Sequence, residues 1–216
     1  MRNSSSASRR AIILEFATIA FASVEAVVAL GSGVWAGSVA LVAFGADSIV
    51  EMLSAMVVLS TLRALVRGER IDPRSDHRAH RLIAVFFFVL AAYVVASAAF
   101  AMVRRVHPSE NVPGFVICVA SIVFMPALAW MKRQTSYDLW QIGSSTVARL
   151  LEADAMETAL CGLLSLSTLV GIALTASLQW WWADPVASLA VMYFALREGR
   201  EAWNCDPPPD VDVAAY

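Results

Sequence analysis

Near-continuous apolar runs of about 20 residues, the length that carries a helix across ~30 Å of hydrocarbon, recur along this chain and leave little room for another kind of fold. They fall at residues 11–30, 38–62, 82–102, 113–130, 158–178 and 185–196. The sixth is short, and reaches a spanning length only if its helix continues through Arg197, Glu198 and Arg200 to Trp203. With 59% hydrophobic and 16% charged residues, the chain is too apolar for a soluble domain of 216 residues. The expectation is an all-α, polytopic membrane protein with six transmembrane helices. Residues 1–10 read as a disordered cytoplasmic leader, 11–204 as the six-helix domain and 205–216 as a short Pro-rich cytoplasmic tail.

The first run follows Arg2, Arg9 and Arg10 but contains Glu15 and Glu25, is long for a signal-peptide core, and leads straight into further spans. It is therefore read as a retained helix. Basic residues decide orientation. Arg63, Arg67, Arg70, Arg74, Arg78 and Arg81 follow the second run, and Lys132, Arg133 and Arg149 follow the fourth. Both segments belong on the cytoplasmic side, which places both termini there and makes this a multi-pass protein of the cell (inner) membrane. Arg104 and Arg105 run against the rule and are outnumbered. No basic pattern points to nucleic acid. Cys118, Cys161 and Cys205 give no disulfide framework.

Acidic residues inside apolar runs need a reason, because an ionised carboxylate in hydrocarbon costs about 2.5 to 3.5 kcal/mol on insertion scales. Asp47 and Glu51 are four apart in the second run, so on a helix they share a face roughly 6 Å apart along its axis. In the fifth, Asp154, Glu157 and Cys161 are spaced by three and four, which brings them within about 60° of one another around the helix. Glu51 and Cys161 each lie roughly 16 Å from the cytoplasmic end of their run, near the midplane. Two such rows facing each other can hold one cation. Neutral carboxylic acids used as interhelical hydrogen bonds are the bland alternative.

Other polar positions read more simply. Glu15 is expected to be a solvated interfacial acid, while Glu25, past mid-span, suits either a structural hydrogen bond or the ion pathway. Asp76, His77 and His80 fall in a polar loop, a weak candidate for a second metal site amid arginines that repel a cation. The GSGVWAGS connection reads as a tight outer loop, MKRQTSYDLWQIGSST as a linker, and Asp184 before Pro185 as the N-cap of the sixth helix.

The segments GSVALVAFGADSIVEML, LEADAMETALC and WADPVASL resemble the cation diffusion facilitator family of divalent-metal/proton antiporters, over roughly residues 11–203. The resemblance implies two ligands four apart in the second helix and two four apart in the fifth. Here these fall on Asp47, Glu51, Glu157 and Cys161, with Asp154 and Glu25 as accessory pathway residues. The family's fifth-helix pair is commonly a histidine and an aspartate, so Glu157 and Cys161 depart from it. The resemblance also implies a homodimer, and the expectation is a short form without the family's usual cytoplasmic ferredoxin-like domain, joined through its membrane helices.

A carboxylate site binds either protons or a divalent cation, so the two compete, and alternating exposure of the site gives exchange without covalent chemistry. The protein is expected to be a transporter rather than an enzyme, with no resident cofactor. A thiolate among carboxylates favours zinc, cadmium or cobalt over manganese or iron(II). Its partners are then the bilayer, the metal ion and protons. The rival readings are a non-transporting scaffold or partner subunit that keeps the fold, and an intramembrane aspartyl protease, which lacks a recognisable substrate gate.

Overall fold

The computed structural model describes residues 2–67, 73–106, 108, 109, 111–141 and 145–204. It is all helix: α1 (Arg2–Ala36), α2 (Val39–Val66), α3 (Pro73–Arg104), α4 (Val112–Gln141), α5 (Ser145–Leu178) and α6 (Ala183–Trp203). The first five are long and apolar enough to cross a membrane. The sixth has 21 residues, about 31 Å at helical rise, and includes the charged stretch from Arg197 to Glu201. Large apolar side chains such as Ile13, Val27, Phe124 and Leu163 point outward, as suits a lipid-facing surface.

Helices consecutive in the chain alternate in direction. One apolar cluster joins Ala7 and Ala11 at the start of α1, Val58 and Leu62 at the end of α2, Leu139 on α4 and Leu151 on α5. Another joins Val39 at the start of α2 to Ala98 and Ala101 near the end of α3. Helices α1, α2, α4 and α5 form a bundle, and α3 pairs with α6 at its side. In that pair the Trp203 ring lies edge-on to Phe88, so the end of α6 meets the start of α3.

The α1–α2 hairpin is drawn together by two glycines. A Cβ on Gly33 would lie 2.8 Å from the Val42 nitrogen, and one on Gly45 would lie 2.8 Å from the Leu30 nitrogen. Small residues of this kind let membrane helices approach closely. The turn is tighter than GSGVWAGS suggested, because α1 continues to Ala36 and reversal occurs at Gly37, whose φ of +69° suits a residue without a Cβ.

Several boundaries differ from the apolar runs. Helix α1 begins at Arg2, and Ala7 is buried against neighbouring helices. Residues 131–141 of the linker after the fourth run are the last third of α4, and the polar loop before the third becomes helical from Pro73, a residue suited to a first helical position. Within α4, Pro126 lies against Gly162 of α5, where a Cβ would be 3.1 Å from the proline ring. This close approach sits one residue from Cys161.

Asp184 does not cap α6. Helix α6 begins at Ala183, and the Asp184 carboxylate caps α2 instead, accepting from the Ser38 hydroxyl, from Val39 N–H at 2.8 Å and from Ala40 N–H at 3.3 Å. Ser38 in turn accepts from Leu41 N–H at 3.1 Å. Four donors at the α2 N-terminus are thereby satisfied, with a negative charge where the helix dipole favours one.

Candidate metal centre

Helical periodicity places Asp47 and Glu51 on one face of α2, and Glu157 and Cys161 on one face of α5. The structure turns these faces toward one cleft, lined by Asp47, Glu51, Glu157, Cys161 and Glu198 together with Phe87, Leu160, Leu164 and Phe194. Its volume is about 10 Å³, on the scale of a single water molecule. No lining residue is basic. Such a cavity suits a small cation rather than an organic substrate, which needs several hundred Å³.

The carboxylates differ in how far they are satisfied. Glu157 accepts from the Ser54 hydroxyl at 2.6 Å, a bond that ties α5 to α2, while its Oε1 has no hydrogen-bond partner among the described residues. Glu51 is 2% exposed, and neither of its carboxylate oxygens has such a partner. A buried polar atom left unpaired costs about 1 to 3 kcal/mol. A carboxylate with both oxygens unpaired in a cavity of one-ion size has the chemistry of a ligand.

Glu25, on α1, adjoins the centre without lining the cleft. Its Oε2 accepts from the Ser48 hydroxyl at 2.9 Å and lies 3.7 Å from the Cys161 sulfur. One ligand atom each from Glu25, Glu51 and Cys161 lie within 4.8 Å of one another, and all three residues are buried. Of the two alternatives offered by the sequence for Glu25, the hydrogen bond to a neighbouring helix is present.

Asp154 is drawn elsewhere. Its carboxylate is bonded to the Lys132 ammonium, which also reaches Glu15 Oε2 at 3.3 Å and the Thr158 hydroxyl at 3.2 Å. Glu15 and Lys132 are fully buried, which corrects two expectations: Glu15 is not solvated and Lys132 is not in a loop. Both follow from helices longer than their apolar runs, since α1 starts before and α4 ends after the residues that hydropathy marks. The ion cluster adjoins the cleft: Thr158 follows Glu157 in sequence, and Lys132 is close enough to Glu51, and Asp154 to Glu157, for their charges to interact.

Sequence reasoning missed Glu198, hidden in the charged end of α6, as well as Ser54, Lys132 and Thr158. Lys132 left a trace. The buried face of α4 runs Ser121, Met125, Leu128, Lys132, Thr135 and Leu139, a spacing of three and four that passes through it unbroken. Cys118 is core packing, fully buried among apolar neighbours. The side chains of Asp76, His77 and His80, and residues His107 and Cys205, lie outside the described residues.

Together these features define a polytopic helical membrane protein with a small acidic cleft between its second and fifth helices. Residues 16–203 match the family model described as the cation efflux transmembrane domain, and the chain belongs to that family, the cation diffusion facilitators. A protein of Synechocystis sp. described as an uncharacterized transporter is 25% identical over 175 residues, which cover 79% of this chain and 54% of that relative. The chain thus spans about half the length of the curated relative it matches.

Proposed function

We propose that the protein carries a divalent metal cation, zinc or a zinc-like ion, across the membrane in exchange for protons. The observation that supports this best is Glu51, whose two oxygens are buried and without hydrogen-bond partners among the described residues, inside a cleft that also gathers Asp47, Glu157 and Cys161. Three carboxylates and a thiol offer mixed oxygen and sulfur donors, a set that suits zinc, cobalt or cadmium better than magnesium or calcium. A cation entering the cleft displaces the protons that neutralise these groups when it is away. Metal and protons then occupy the site in turn, and exposure to the two sides in alternation couples their movements.

Orientation follows from charge. Arg63 near the end of α2 and Arg149 near the start of α5 lie at one end of the bundle, and an excess of basic residues marks the cytoplasmic side. Glu198, toward the end of α6, gives the cleft an acidic edge on that side, so loading is from the cytoplasm and export is the working direction.

The test is metal-dependent proton movement in vesicles containing the purified protein, scanned over zinc, manganese, iron(II), cobalt and cadmium, for wild type and Cys161→Ser. Zinc, cobalt or cadmium should move protons in the wild type, and the serine variant should lose preference for the softer ions. If no ion moves protons, the antiport reading is wrong and a scaffold role takes its place.

A further inference from the structure

The geometry points to an inner cation position walled by Glu25, Glu51 and Cys161, which makes α1 a ligand-bearing helix alongside α2 and α5. It rests on the proposed metal reading of the cleft and extends it, because Glu51 and Cys161 would serve both positions while Glu25 serves only the inner one.

Three observations carry it. First, one donor atom from each residue falls within 4.8 Å of the other two, a separation that one ion bridges with small side-chain adjustments. Second, all three side chains are at least nine-tenths buried: Glu25 is 0%, Glu51 2% and Cys161 2% exposed. Third, Glu25 Oε1 and both oxygens of Glu51 are buried without hydrogen-bond partners among the described residues. Buried carboxylates that only brace a helix interface have their oxygens satisfied by the neighbouring helix. Here Glu25 is half satisfied: Ser48, 2.9 Å from Oε2 and 3.0 Å from the Phe44 carbonyl, fixes the carboxylate in place and leaves Oε1 free. That is the arrangement of a ligand held by an outer partner.

Two carboxylates and a thiolate carry enough negative charge to neutralise a divalent ion in a site walled off from water. The mixed donor set favours the zinc, cobalt and cadmium group over calcium or magnesium. Since Glu51 and Cys161 line the cleft as well, an ion reaches the inner position by exchanging Asp47 and Glu157 for Glu25 while keeping two ligands. No step requires a bare ion in a dry interior.

Cadmium binding to the purified protein in detergent, under reducing conditions, tests the assignment. Equilibrium dialysis gives the affinity, and thiolate-to-cadmium charge-transfer absorbance counts the sulfurs on the metal. The wild type should show one thiolate, and Cys161→Ser should abolish the band. Glu25→Gln, of the same shape, should weaken cadmium binding about tenfold or more, the loss expected when a direct ligand goes. Glu25→Cys should roughly double the absorbance per bound cadmium, a signal that a merely structural Glu25 would not produce. If Glu25→Gln binds as wild type does, or Glu25→Cys shows a single thiolate, the inner position is overturned. Loss of binding in Asp47→Asn and Glu157→Gln, with both Glu25 variants normal, would keep the cleft and remove α1 from it. Absence of cadmium binding in the wild type would overturn the cleft reading and the inner position together.

Discussion

Lys132 on α4 and Asp154 on α5 form an ion pair that is shut off from solvent, with Glu15 of α1 3.3 Å from the same ammonium. Three helices thus meet at a single buried cation. Replacing Lys132 by Met should leave two buried carboxylates facing each other and cost ~3 to 5 kcal/mol of stability, the usual penalty for breaking a buried pair. Thermal unfolding in detergent would show it as a lowered midpoint. Adding Glu15→Gln and Asp154→Asn should recover most of the loss, because the triple variant buries no net charge. Unchanged stability in the single variant would mean that the cluster is hydrated.

The contact between Asp184 and the N-terminus of α2 is a second long-range tie. Asp184→Ala removes an acceptor from two backbone N–H groups and a hydroxyl. A loss of ~1 to 2 kcal/mol is expected, at the upper end for a helix cap. The same unfolding assay checks this, and Asp184→Asn should retain part of the cap.

Gly45 sets the spacing of α1 and α2 two residues before Asp47. Its Cβ would meet the Leu30 nitrogen at 2.8 Å and the Leu30 side chain at 2.9 Å. Gly45→Ala should therefore push the hairpin apart and cost ~1 to 3 kcal/mol. By contrast Gly31, where a Cβ would meet nothing within 4 Å, should accept Ala without loss. The pair of variants, compared by thermal unfolding, separates close packing from a general effect of helix propensity.

Ser54 holds Glu157 in the cleft at 2.6 Å. Ser54→Ala should leave the fold intact and weaken metal binding by roughly 10-fold, the lower range for loss of a group that orients a ligand. Equilibrium dialysis with zinc measures it. An unaffected affinity would place Glu157 outside the coordination set.

The helices and the faces of α2 and α5 were legible in the sequence because both rest on local periodicity. Apolar runs of membrane length mark the spans, and acids spaced by four mark a face whatever lies across from it. The partners of those faces were not legible. Asp184-Pro185 has the form of a local N-cap, and only the folded chain shows that its carboxylate reaches α2. Lys132 sits beside Arg133 where a hydropathy reading ends the span, so it was counted with the loop charges that set orientation. Glu15 was misread for the matching reason, being mid-helix in α1 but near the start of its apolar run. Glu198 stands among Arg197, Arg200 and Glu201 in the sequence, and only the packing of α6 along α3 brings it to the cleft. In each case the missing information was which helix stands opposite.

The most direct test of the account is zinc-driven proton movement in sealed vesicles containing wild type or Glu51→Gln, measured over a range of pH. In the wild type a zinc gradient should move protons in the opposite direction, with the apparent affinity for zinc falling as pH falls, because protons and metal compete for the same carboxylates. Glu51→Gln, which keeps the shape and removes the charge, should abolish the zinc-dependent movement. Equal proton movement in the two proteins, or none in the wild type, would contradict the central role given to the α2–α5 cleft.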